Sequence, residues 1–234
     1  MKKLVLSLLF LTSSAFADKI TATSWIVADG NGKVIESQNA AETRSIASIT
    51  KLMTAMVILD ANQDMNETLL GFTRKEHLQM MLIKSNNRSA DILCENYPRG
   101  RASCIHSMNS KSEQLGLSQT KFADPSGLNI MNISTAEELV NIVIASSKYP
   151  EIVEASNMPQ GKAKKKKGWI TFNNTNPLVA TKDFIISKTG YIRASGGCIV
   201  TMIDTDLGRR IVVLLNSKDT RTRIPESYKL AVKF

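Results

Sequence analysis

The chain has 234 residues, 43% of them hydrophobic and 22% charged, an ordinary globular composition that excludes collagenous, heptad-repeated and compositionally disordered classes. Its length suits one domain, or one domain with a small lobe, large enough to bury a real core. The formal net charge of +9 calls for an acidic partner, for which bacterial wall polymers and nucleic acid are rival explanations.

Met1-Lys2-Lys3, the apolar run Leu4 to Leu11 and Ala15-Phe16-Ala17 have the charge, apolar core and small residues of a secretory signal. We therefore expect a signal peptide over 1–17, cleaved near Ala17, and one mature domain over 18–234. The apolar stretch is too short for the ~30 Å of a bilayer core, so no transmembrane anchor is expected. The mature protein is expected to be secreted or periplasmic. Export removes nucleic acid as a partner and makes a Cys94–Cys104 disulfide plausible, with two buried free thiols as the alternative. Cys198 sits in an apolar run and reads as core. With only His77 and His106, no zinc-ligand spacing appears, so neither metal nor cofactor is expected.

In chain order, Trp25-Ile26-Val27-Ala28 and Lys33-Val34-Ile35 flank the turn Asp29-Gly30-Asn31-Gly32 as a β-hairpin. Ile49 to Leu59 is apolar on all sides, the pattern of a fully buried helix. Thr73-Arg74-Lys75-Glu76 is a capping box opening a helix through Ile83. Ser89 to Tyr97 and Ala102 to Leu115 read as helices, and Ser134 to Glu137 as a second capping box opening a helix toward Lys148. The run Lys164-Lys165-Lys166-Lys167 before Gly168-Trp169 reads as a solvated loop in preference to a polymer-binding strip. Phe184 to Ile186, Gly197 to Ile203 and Arg210 to Leu215 are β-rich, and Asp204 to Gly208 is a turn between the last two. Strands at both ends around a helical block imply an α+β fold. Both termini build one antiparallel sheet, with helices packed on it and a helical lobe.

Ser48 stands at the mouth of the buried helix with Lys51 at i+3, on the same face. Burial lowers a lysine pKa, so the pair can act as nucleophile and base, and the helix N-terminus offers N–H groups to an oxyanion. Alone, Ser-x-x-Lys is equally a capping serine with a nearby lysine. Ser85-Asn86-Asn87 follows the second helix, and Lys188-Thr189-Gly190 closes a strand, where a lysine and a threonine can hold a carboxylate and a glycine admits a substrate backbone. The order Ser-x-x-Lys, Ser-x-Asn, Lys-Thr-Gly on helix, inter-helix loop and strand end is that of penicillin-binding proteins and serine β-lactamases.

From about Ile20 to about Arg223 the sequence resembles the low-molecular-mass penicillin-binding proteins, the D-alanyl-D-alanine carboxypeptidases and endopeptidases. Phe122 to Leu128, Ser134-Thr135-Ala136 and Phe172 to Leu178 (Phe-Asn-Asn-Thr-Asn-Pro-Leu) extend the likeness, the last toward the endopeptidase branch. The resemblance implies a penicillin-binding transpeptidase/β-lactamase-like fold, peptidoglycan peptides as substrate and covalent acylation by β-lactams. It implies Ser48 as the acylated nucleophile, Lys51 as its base and Ser85 as proton relay. Asn87 would bind the substrate amide, and Lys188, Thr189 and Gly190 its carboxylate side. The N–H groups of Ser48 and Tyr191 would form the oxyanion hole.

Two departures bear on specificity. The stretch from Lys51 to Ser85 is shorter than in comparable relatives, which carry a small hairpin there. The chain also ends at Phe234 soon after the last strand, without an extra β-domain or amphipathic anchor, as expected of a soluble endopeptidase-like member. The resemblance leaves a carboxylate-binding arginine open between Arg221 and Arg223, near the end of the last strand. A serine β-lactamase is disfavoured because Glu137-Glu138-Leu139-Val140-Asn141 does not fit the Glu-x-x-Leu-Asn spacing of a deacylating glutamate. A non-catalytic basic wall-binding protein is disfavoured by the intact Ser48, Lys51, Ser85, Asn87 and Lys188.

Overall fold

The computed structural model describes residues 20–234; the expected signal peptide over 1–17 lies outside them. Strands β1 (Ser24–Asp29) and β2 (Val34–Gln38) form the expected hairpin, followed by the short β3 (Arg44–Ser45) and a 3-10 turn, Ala47–Ile49. The helical block holds α1 (Thr50–Asp60), a tight hairpin of β4 (Thr68–Leu69) and β5 (Phe72–Thr73), then α2 (Arg74–Ile83), α3 (Asn87–Glu95) and α4 (Arg101–Gln114). After β6 (Ile133–Ser134) come α5 (Ala136–Ser146) and α6 (Pro150–Asn157), and then a second hairpin of β7 (Gln160–Lys164) and β8 (Trp169–Asn173). Strands β9 (Phe184–Ile192), β10 (Gly196–Thr205) and β11 (Gly208–Ser217) precede α7 (Arg223–Lys233).

The main sheet runs β2-β1-β11-β10-β9 with every neighbour antiparallel. Chain start and chain end thus meet at its centre, where Ser24 pairs with Leu215 and Ala28 with Ile211. Both faces are covered, so period-2 alternation sorts side chains between two cores. Ile26, Ala28, Ile211, Val213 and Leu215 face the helical block, and Trp25, Val27, Val212 and Leu214 face α7. Helix α1 is buried from Thr50 to Ile58, as its almost wholly apolar sequence requires.

Several expectations need correction. Helix α7 follows the last strand, with Ile224, Leu230 and Ala231 in the second core; Pro225 is tolerated because first-turn N–H groups have no helical acceptor. Arg223 therefore opens a helix and does not end a strand. Of the lysine run, Lys165 to Lys167 form the expected exposed loop, whereas Lys164 ends β7, paired with Trp169 of β8. Ser134 is not a cap. Thr135 caps α5 by accepting from Glu138 N at 3.1 Å, and Glu138 does not complete a box because it accepts from Gln119 N and Thr120 Oγ1 at 2.8 and 2.6 Å. The shortened stretch before Ser85 keeps a minimal hairpin, β4–β5. Cys94 and Cys104 form a disulfide joining α3 to α4, with Cα atoms 5.4 Å apart, and Cys198 is a buried free thiol. Among the described residues no helix is long and apolar enough to cross a membrane.

Candidate active site

Ser48 lies in the 3-10 turn feeding α1, and the turn is held open by strain. Ala47 has φ +45°, a left-handed conformation costing a non-glycine residue about 1 kcal/mol. Two glycines make room for it. A Cβ on Gly127 would stand 2.0 Å from the Ala47 carbonyl oxygen, and one on Gly190 would stand 3.0 Å from Ile46 O and Ser48 N. The loop after Phe122 is shaped by Asp124, whose carboxylate accepts from Ser126 N and Gly127 N at 2.6 Å each and from Asn129 N. Burial pushes that carboxyl up, but these N–H groups outweigh it and the net pKa falls. The result turns the Ser126 carbonyl toward α1.

Lys51 is fully buried. Its Nζ lies 2.8 Å from Ser48 Oγ and 2.7 Å from Asn87 Oδ1, and it also contacts the Ser126 carbonyl oxygen. Burial pulls its pKa down to about 7, against the upward pull of Asp124 and Asp91. Asn87 Oδ1, Ser126 O and Ser48 Oγ can each accept an N–H from Nζ, and with a pKa near 7 the amine can shed one of those protons, which makes a lone pair available to the Ser48 hydroxyl.

The opposite wall starts at Ser85, which leaves α2 with φ +60°. Asn86 then caps α3 by accepting from Ser89 N at 2.9 Å. Asn87 is therefore on the first turn of a helix, where sequence placed it in a loop. Lys188, buried on β9, donates to Ser85 Oγ and Thr189 O at 2.9 Å each. Burial, and then the charges of Lys51 and Arg223, hold its pKa well below the usual lysine value. Tyr191 follows on β9 and is half exposed. Of the two arginines, Arg223 is buried and donates to the Gly190 carbonyl oxygen; Arg221 is 90% exposed beside Asp219.

All eight sequence-predicted residues therefore belong to one constellation around Ser48 and β9. Two contributors were missed. The Ser126 carbonyl is invisible to side-chain reasoning, although Asp-Pro-Ser-Gly is a turn signal. Thr175 lies between β8 and β9, accepts from Thr189 Oγ1 at 2.7 Å and fixes its own N–H on Ile83 O at 3.1 Å. Its neighbour Asn176 reaches Ser187 Oγ at 2.9 Å and accepts from Leu178 N at 3.0 Å, which gives the Asn-Thr-Asn-Pro segment its structural meaning.

The sequence profile of the D-alanyl-D-alanine carboxypeptidase family matches residues 11–70 and 69–219. The chain belongs to this family. Among its relatives are proteins named D-alanyl-D-alanine endopeptidase in Pseudomonas aeruginosa and Escherichia coli. The first is 32% identical over 237 residues, covering 91% of this chain and 76% of the relative. The second is 36% identical over 213 residues, covering 80% and 69%. A carboxypeptidase of Bacillus subtilis is 25% identical over 227 residues, covering 85% and 58%. Of solved structures, penicillin-binding protein D2 of Listeria monocytogenes with ampicillin bound superposes with TM-score 0.81 at 25% identity, over 90% of this chain and 96% of that one. The Streptomyces K15 DD-transpeptidase shares the fold, with TM-score 0.83 at 23% identity over 91% and 96%. The family is one of penicillin-binding serine hydrolases acting on D-alanyl peptides, on the α+β fold described above.

Proposed function

We propose that the protein is an exported D,D-peptidase that cleaves D-alanyl bonds of peptidoglycan through an acyl-enzyme on Ser48, acting on cross-links in preference to terminal D-alanine. The observation that carries this reading is the buried amine of Lys51, its pKa pulled down to about 7, with Nζ 2.8 Å from Ser48 Oγ. Ser48 Oγ attacks the carbonyl carbon of the D-alanyl bond as Lys51 Nζ takes the hydroxyl proton. The N–H groups of Ser48 and Tyr191 receive the developing oxyanion. Ser85, in contact with Lys188, passes a proton to the leaving amine, and water then releases the acyl group. Asn87 holds the substrate amide, Gly190 lets the substrate backbone approach, and Lys188 and Thr189 hold its carboxylate side.

A carboxylate arriving beside Lys188 opposes the burial that lowers its pKa, because an opposite charge favours the ammonium form. The preference for cross-links rests on the two relatives named endopeptidase and on the resemblance of the Asn-Thr-Asn-Pro segment to the endopeptidase branch. A lactamase-type deacylating carboxylate has no counterpart on α5, because Glu138 is held by Gln119 and Thr120. The test is to incubate the protein with purified cross-linked wall dimers and with pentapeptide monomers. Dimers are expected to disappear faster than free D-alanine accumulates; the reverse order makes it a carboxypeptidase, and rapid turnover of penicillin makes it a lactamase.

Thr175 positions the carboxylate side. Its hydroxyl accepts from Thr189 Oγ1 at 2.7 Å and so fixes that side chain at the carboxylate side. Thr175→Val is expected to raise KM about tenfold, the scale of one unsatisfied hydroxyl, with kcat nearly unchanged and Thr175→Ser restoring KM. Equal losses in kcat and KM for both variants would assign Thr175 a structural role only.

A further inference from the structure

The β7–β8 hairpin forms a separate two-stranded sheet with two unlike faces. Gly161, Ala163, Ile170 and Phe172 turn inward, and Phe172 is buried. The outward face is a ladder of cross-strand pairs, Gln160 with Asn173, Lys162 with Thr171 and Lys164 with Trp169. At the tip, Lys165, Lys166 and Lys167 border a shallow recess floored by Gly71 and Phe72. Trp169 is 65% exposed and Leu70 of the neighbouring β4–β5 hairpin is 69% exposed. No ion pair engages Lys162 or Lys164 to Lys167 among the described residues. One exposed face and tip of this hairpin thus bring together a tryptophan and five lysines.

The ladder also has a direction. Its near end, Asn173, is two residues from Thr175, which hydrogen-bonds Thr189, and Trp169 lies roughly 13 Å farther along the strand at strand rise. We infer that the outward face of the β7–β8 hairpin is a docking strip for polymeric peptidoglycan, continuous with the wall of the cleft that holds the substrate's carboxylate side. The lysines pair with stem-peptide carboxylates, and Trp169 with Leu70 covers the apolar faces of sugar rings. Charge complementarity selects this occupant, since the chain carries +9 and the wall polymer is acidic. The inference rests on the wall-peptidase reading and deepens it: the strip would distinguish an insoluble wall from a soluble muropeptide.

The test uses the full chain carrying Ser48→Ala, so that nothing is turned over, pelleted with purified insoluble peptidoglycan at about 50 and about 300 mM salt, a range across which surface charges become screened. Lys165, Lys166 and Lys167→Gln together are expected to weaken pelleting about tenfold at low salt and to remove most of its salt dependence. Trp169→Ala is expected to weaken it about tenfold while keeping the salt dependence. With Ser48 intact, both variants should still take a labelled penicillin at the parental rate, which reports a folded, working site independently of the strip. Undiminished pelleting by both variants overturns the inference, as does a parent that binds vesicles rich in phosphatidylglycerol through the same residues and ignores the wall. Failure of the intact chain to take penicillin would instead overturn the underlying reading of the site.

Discussion

Ser48→Ala is expected to abolish covalent labelling by a penicillin, a loss of at least about 10⁴-fold in acylation rate, while the protein unfolds at an unchanged temperature. The hydroxyl carries little of the fold: its contacts are Lys51 Nζ and a 3.4 Å approach to the Ser126 carbonyl. Lys51→Ala should come within about tenfold of the same loss, because nucleophile and base act as one unit. Lys51→Arg rescues nothing, since a guanidinium stays charged. The pH dependence has a definite sign. Lys51 titrates near 7, and protonation removes the lone pair that accepts the Ser48 proton. Acylation should therefore fall about tenfold per pH unit below about 7 and level off above it.

The same shift makes Lys51 a cost to stability. Its folded pKa lies below its unfolded value, so between about pH 7 and the usual lysine value of 10.5 the unfolded chain binds the extra proton and stability rises with pH. A wild-type rate flat from about pH 5 to about pH 9, followed with labelled penicillin, would remove Lys51 from the role of base.

Gly127→Ala is the largest expected effect outside the reacting groups. Gly127 has φ +83°, and a Cβ there would meet the Ala47 carbonyl oxygen at 2.0 Å and Ser48 N at 2.8 Å. Both obstacles are backbone, so no rotamer change relieves them. The left-handed conformation and the forced displacement together cost about 2–5 kcal/mol, a fall in Tm on the order of 10 °C for a domain of this size. The displaced atoms carry Ser48, so the fraction that remains folded should acylate at least about a hundredfold more slowly. Thermal melts and penicillin labelling of the same preparation check both parts. A variant with wild-type Tm and labelling would show that the close packing of this loop on the 3-10 turn is dispensable.

Much of this was legible from sequence because the relevant physics is local. Ser48 and Lys51 lie one helical turn apart whatever surrounds them, and the almost wholly apolar run from Ile49 predicts the burial that depresses the lysine pKa. β-rich runs at Trp25 to Ala28 and near the chain end revealed a sheet built from both ends. The capping box at Thr73 set the start of α2, confirmed by Glu76 N donating to Thr73 Oγ1 at 3.1 Å. What sequence left undecided depends on which distant groups compete for the same partner. Glu138 had a helix end nearby but went to Gln119 and Thr120. Arg221 and Arg223 differ only in position, and packing of α7 on the sheet buried the second beside Gly190. Weak local signals also failed where tertiary contacts supply the stability: Gly161 and Ala163 are too small to mark a strand, yet suffice where Phe172 and Ile83 fill the space. Sequence alone thus singled out the candidate nucleophile Ser48, its candidate base Lys51 and the order of the motifs. Only the tertiary structure decided how they meet, because the Ser126 carbonyl, the Thr175 hydroxyl and the basic hairpin reach the site region through long-range packing and backbone geometry.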